Sequence, residues 1–283
     1  MIIGILGYKW FSILIPYMPI MIFLMLLMTF SKLSFSNLKP SLLHLWLLLI
    51  QIVGCVVVYY VILPFNQVLA QGTMICVLCP TATAAAVVTG KLGGKIETTA
   101  SYTIFINIAV AIIAPLIFPI MNEEKQMAFG ILFLKIFSNI VPLLIFPFLI
   151  IVIINKFFPM VNEKIKSYSG AAFYIWAFCL IIAISQVTMV FINEKSGGIT
   201  IILLAIFSLI LCCLQFFFGK TIGSKYSDRI AGGQALGQKN TILAIWLVYQ
   251  FGFTPLAALG AGSYIIWQNL INSWQLYKVN NYK

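Results

Sequence analysis

Residues 231–243 read AGGQALGQKNTIL and place the ammonium of Lys239 inside an otherwise apolar, membrane-length stretch. An ionisable side chain in lipid is rare and marks a substrate or ion pathway. Gln234, Gln238 and Asn240 stand beside it and need polar partners of their own. Gly232, Gly233 and Gly237 crowd the same window, which predicts an unwound backbone there. A second interruption is CPTATAAAVVTG, from Cys79 to Gly90. Pro80 lacks an N–H and its ring opposes a preceding carbonyl, so it breaks the helix. A half-helix starting beyond it would aim free N–H groups and its positive dipole end into the break, which attracts an anion. Thr81 and Thr83 would add hydroxyls, and Ala84 with its neighbours would permit close approach. A plain proline kink with small packing residues is the competing reading.

The elements that carry these breaks follow from composition. The chain has 283 residues, 62% hydrophobic and 8% charged, with mean hydropathy +1.07. A soluble domain of this length has no way to cover so much apolar surface, so the class is an all-α polytopic membrane protein embedded in a lipid bilayer. The formal charge of +11 does not indicate nucleic acid, because the basic residues stand singly between hydrophobic runs. The six cysteines all lie in apolar spans and predict packing residues, with no disulfide framework.

Nine stretches are long enough to cross the bilayer, near Phe11–Phe30, Leu42–Leu63, Val68–Thr89, Thr98–Met121, Met127–Ile154, Tyr168–Ile192, Ile199–Phe218, Ile230–Phe251 and Pro255–Tyr277. The opening MIIGILG reads as the edge of the first helix. One side carries Lys32, Lys39, Lys91, Lys95, Lys156, Lys164, Lys166, Lys220, Lys225, Arg229, Lys278 and Lys283; the other carries Lys9, Lys125 and Lys195. That asymmetry puts the N-terminus outside and the C-terminus in the cytoplasm. Lys135 falls near the outer end of the fifth span, where it would snorkel. The connections Ser31–Ser41, Asn155–Ser167 and Gly219–Arg229 read as short basic loops, so any site lies within the bundle or at its mouths.

Each broken span is followed by one further apolar span. Spans one to four thus correspond to six to nine, joined through the fifth. An even repeat joined through one extra helix is inverted. The chain reads as a single transporter domain over residues 1–283, with repeats at about 11–121 and 127–277.

In CPTATA (Cys79 to Ala84), GQKN (Gly237 to Asn240) and WQNLINS (Trp267 to Ser273) the chain resembles the bile acid:sodium symporter family. The family's segments there look like C-P-G-G-T-A-S-N, E-V-G-M-Q-N-S-G and W-H-N. The resemblance implies an inverted repeat of five plus five helices, a panel and a core domain, and two broken helices crossing near the midplane. It also implies a small organic anion held near Thr83 and Ala84, with Asn240 donating from the other broken helix and Gln268 and Asn269 on the wall. The family's first helix has no counterpart here. Its sodium-binding glutamate falls on Ala235, its glutamine on Lys239, and its Ser-Asn pair on Ala85 and Ala86. All six acidic residues (Glu97, Glu123, Glu124, Glu163, Glu194, Asp228) fall in loops or at span ends. Sodium needs hard oxygen ligands, so the sodium site is expected to be dismantled, with Lys239 supplying the positive charge. Gln234, Gln238, exposed carbonyls or the substrate's own anionic group would then partner it. Proton exchange on the amine is the alternative coupling.

Other readings stay open. The Cys79-Pro80 pair also resembles the arsenite exporters, which place a Cys before the broken-helix proline; that resemblance implies metalloid-oxyanion efflux, against which the missing membrane carboxylate argues. Cys76-x-x-Cys79 has no accompanying metal ligands, and no cofactor is indicated. His44 reads as an interfacial residue, and without an acid pair or nucleophile–base constellation no enzyme is expected. A membrane sensor that binds without transporting is the remaining class. The setting expected is a bacterial inner (plasma) membrane.

Overall fold

A computed structural model of the protein describes residues 2–32, 40–121, 128–193 and 198–281. Every long element is helical, because lipid leaves backbone N–H and C=O groups no other partner than their own helix. The chain opens as an interrupted rod: α1 (Ile2–Leu6), α2 (Tyr8–Phe11), a 3-10 stretch at Ser12–Tyr17 and α3 (Met18–Ser31). Pro16 sits inside the 3-10 stretch, and Pro19 falls in the first turn of α3, where its missing N–H costs nothing. The opening residues form the separate short helix α1, and the span long enough to cross a membrane begins at Tyr8. They pack on a later helix, and Gly4 comes so close to Ile181 that a Cβ there would lie 2.6 Å from its carbonyl oxygen.

Next come α4 (Leu42–Ile62), α5 (Gln67–Leu78), α6 (Ala85–Lys91), α7 (Ile96–Met121), α8 (Phe129–Phe157) and α9 (Pro159–Ser167). They are followed by α10 (Ala171–Asn193), α11 (Gly198–Lys225), α12 (Arg229–Gly237), α13 (Thr241–Gln250) and α14 (Ala258–Asn281). Among the described residues, six helices are long and apolar enough to cross a membrane, beginning with Tyr8–Ser31. The two short pairs, α5 with α6 and α12 with α13, are the interrupted spans. Large apolar side chains such as Ile131, Leu134 and Ile153 on α8 face outward, which suits lipid and not water.

Two of the expected loops are helical. The stretch 155–167 is the end of α8 followed by α9, an amphipathic helix with Pro159 at its start. Likewise α11 runs through Lys220 to Lys225, so only Tyr226–Asp228 connects it to α12. Hydrophobic patterning ended these spans where charge begins, but Lys at a helix end is compatible with continued helix. Met127 and the loop residues Lys39, Glu123, Glu124, Lys125, Glu194, Lys195 and Lys283 lie outside the described residues.

α3, α8 and α10 form one layer, with α1 and α2 resting on α10. The broken pairs pack with α4, α7, α11 and α14. Hydrogen bonds clamp this second group at both ends. At one end His44 bridges Ser41, the cap of α4, to the carbonyl of Thr98 (3.1 and 3.0 Å). The Thr98 hydroxyl in turn donates to Asp228, 2.5 Å away. At the other end Asn66 caps α5 and reaches Thr200, and the Thr254 amide donates to Gln71 (3.0 Å).

Candidate functional site

α5 ends at Leu78 and α6 begins at Ala85, leaving 79–84 outside both helices; α12 ends at Gly237 and α13 begins at Thr241. The two gaps meet. Thr81 and Lys239 form an antiparallel bridge: the Ala82 N–H donates to Gln238 O (2.9 Å) and the Asn240 N–H to Pro80 O (2.8 Å). Each break thereby satisfies the backbone groups that the other break frees, and in lipid each unsatisfied group would cost several kcal/mol. Side chains reinforce the crossing. The Thr81 hydroxyl donates to Ala235 O (2.6 Å) and the Cys79 thiol to Asn240 O (2.8 Å). Asn240 caps α13 by accepting from the Leu243 N–H (3.2 Å).

Lys239 is 1% exposed, and its Nζ has no hydrogen-bond partner among the described residues. Its titratable surroundings are thiols, those of Cys79, Cys55, Cys76 and Cys212. Asp228, the buried carboxylate among the described residues, sits at the N-cap position of α12, the end away from Lys239, without a side-chain capping bond. Nine helical residues at about 1.5 Å each put it roughly 14 Å along the axis, too far to pair with Lys239. Gln238 and Gln234 are also buried, each with a carbonyl oxygen that lacks a partner among the described residues, although the Gln234 amide donates to Asn272 (2.9 Å). The ammonium expected to lean on these amides is not hydrogen-bonded to them.

Two glycine placements differ from expectation. Gly232 and Gly233 do not unwind the chain; they lie within α12, and Gly237 is its last residue. The unwound residues are Gln238–Asn240. Gly232 serves close packing instead, since a Cβ there would run into the carbonyl of Gly219 on α11. Gly237 receives the ring of Phe216 against its Cα, where a Cβ would lie 2.5 Å from the ring.

Among the residues expected to touch substrate, several are already engaged. Gln268 holds the unwound backbone in both directions, accepting from the Lys239 N–H (2.8 Å) and donating to Lys239 O (3.2 Å). Asn269 is exposed and folds back on Ile265 O of its own helix (2.7 Å). Thr83 is half-buried in the turn before α6, next to Ala84 at the helix entrance.

The sequence reading missed two glutamine–tyrosine pairs. Gln51 of α4 donates to the carbonyls of Leu78 and Cys79 (both 2.9 Å) and accepts from Tyr102 of α7. Gln215 of α11 donates to Tyr264 of α14 (3.0 Å), and Tyr264 donates to Gly237 O (2.8 Å). The first pair closes the end of α5, the second the end of α12. Their separations of 51 and 49 residues were visible as lone glutamines in apolar runs, each followed by a tyrosine one span-pair later.

The sequence model of the sodium bile acid symporter family matches residues 18–194, well over half of the chain. The chain belongs to that family. The matched residues contain α3 through α10 and with them the first broken pair; the second, with Lys239, lies beyond. No curated protein matches the chain. Family membership makes this an integral membrane protein of the transporter type, with a small-molecule substrate and a lipid environment.

Proposed function

We propose that the protein is a secondary transporter of a small organic anion, working by alternating access without sodium, with Lys239 in place of a bound cation. The observation that carries this reading is the buried, unpartnered Nζ of Lys239 at the crossing, with no carboxylate in reach among the described residues. A sodium ion would need hard oxygens there and would be repelled by the ammonium. The substrate's anionic group would lie near Thr83 and Ala84, with the Asn240 amide nitrogen available from the other break; Thr81, Gln268 and Asn269 act on the backbone instead. The twofold Gln–Tyr clamp supports reading the chain as two repeats, inverted in this proposal, within one transporter domain. The proposed setting is a bacterial inner membrane with the C-terminus cytoplasmic, a reading that rests on the loop charges.

The test is uptake of a panel of small organic anions into proteoliposomes, with sodium replaced by choline and with an imposed proton gradient. Uptake should persist without sodium and be lost in Lys239→Ala. Collapse of uptake on sodium withdrawal would overturn the reading. A response to the proton gradient would assign coupling to the Lys239 amine. Saturable binding without flux would make the protein a sensor.

A further inference from the structure

Lys135 and Lys156 both stand exposed on α8, and the stretch between them carries no charged residue. Their spacing of twenty-one residues is roughly 31 Å of helix, the thickness of a hydrocarbon core. Two lysines so placed bracket the lipid, which puts Lys156 at a leaflet boundary. α9 begins three residues further on. Phe158 turns the chain (φ −136°, ψ 61°) and Pro159 opens the new helix. Asn162, 6% exposed, donates to Asn155 near the end of α8 (3.2 Å), and Ile165, one turn later, packs on the core. This face seats α9 against α3 and α8.

The other side of α9 is both apolar and basic. Met160 is 88% exposed and Val161 46%, and Lys164 follows them at the i+4 and i+3 spacings that share one side of a helix. Phe157 and Phe158 are exposed as well, and the Lys156 ammonium lies 5.3 Å from the centre of the Phe157 ring. Lys166 is paired with Glu163 (3.5 Å), whereas Lys156 and Lys164 have no carboxylate partner among the described residues. An interfacial helix has this make-up: its apolar side chains enter the acyl boundary while its basic ones meet anionic headgroups.

We infer that α9 docks on the membrane surface and that Lys156 and Lys164 hold anionic phospholipid headgroups there, with Met160 and Val161 entering the acyl layer. A zwitterionic headgroup brings its own ammonium, which opposes the two lysines. A soluble protein partner fits less well, because the exposed Met160 and phenylalanines stand at the depth that lipid already covers. Since α9 packs on α3 and α8, the docked lipid ties that layer of helices to the leaflet. The inference rests on α8 and α9 and is independent of what Lys239 does.

The experiment titrates the full chain in detergent micelles with dioleoylphosphatidylglycerol or dioleoylphosphatidylcholine and reads bound lipid by native mass spectrometry. Phosphatidylglycerol should bind more tightly than phosphatidylcholine. Lys156→Gln and Lys164→Gln should each weaken phosphatidylglycerol about fivefold, the equivalent of ~1 kcal/mol per lysine near an anionic surface, and leave phosphatidylcholine unchanged. Lys164→Arg should keep the preference. Lys166→Gln, where the lysine is already paired, and Lys225→Gln, at the end of α11, should have smaller effects. Met160→Ser should weaken both lipids. Equal binding of the two lipids, equal losses in all four glutamine variants, or displacement of phosphatidylglycerol by sn-glycerol 3-phosphate would overturn the proposal. A second protein retained in stoichiometric amount and lost in Met160→Ser would overturn it too.

Discussion

At the scale of single residues, Lys239 is paradoxical as a stabilising element. Its backbone is held by Gln268 and its neighbours Gln238 and Asn240 bond to Ala82 and Pro80, yet its ammonium is held by nothing among the described residues. Insertion scales put a central lysine at about 2.5–3.5 kcal/mol unfavourable. Lys239→Met keeps most of the length of the side chain and removes the charge. It should therefore stabilise the purified protein by up to that free energy, read as a higher thermal midpoint, while abolishing uptake. A variant that loses stability would mean that the Nζ is paired in the membrane, against the reading given to it. Asp228 shows the contrast: a buried carboxylate that keeps its Thr98 partner and its place at a helix start.

At the scale of elements, α12 rides on α11 through backbone contact at Gly219, Gly223 and Gly232. Gly232→Val would force a branched side chain into the Gly219 carbonyl and should cost about 1–3 kcal/mol or more, read from a denaturant titration in detergent. Gly54 sits mid-helix in α4, where an added Cβ would meet a Val77 methyl at 3.7 Å, an ordinary contact distance. Gly54→Ala should accordingly be neutral or stabilise by about 0.5–1 kcal/mol. The same contrast explains what the sequence could tell. Pro80 admits a break or a plain kink, and the helix is broken there, with α5 ending at Leu78 and α6 beginning at Ala85. Glycine admits two readings, unwinding and close approach, and Gly232 and Gly233 chose the second because Gly219 faces them from α11. Lys239 was legible as an anomaly of type. The clamps of Gln268 and Tyr264 were not, since which carbonyl a buried amide or phenol meets depends on how distant helices cross.

At the scale of the whole molecule, the exposed basic side chains Lys32, Lys91, Lys95, Lys156, Lys164, Lys166, Lys225, Arg229 and Lys278 stand at or near helix ends, which an aqueous leaflet boundary requires. If they mark the cytoplasmic side, a fluorescent protein fused after α14 should mature, and alkaline phosphatase at the same point should stay inactive. The opposite pair of signals would invert the orientation. The crossing adds a constraint of a different kind, one of timing. Cys79 bonds to Asn240, which is made 161 residues later, and Pro80 accepts from the same residue. The first break therefore leaves the ribosome and enters the bilayer before its complement has been synthesised. Insertion and folding are separate events for this chain, and its centre closes only when the final quarter arrives. A chain stalled before residue 240 would carry in the membrane a stretch of backbone that lacks the partners its complement supplies.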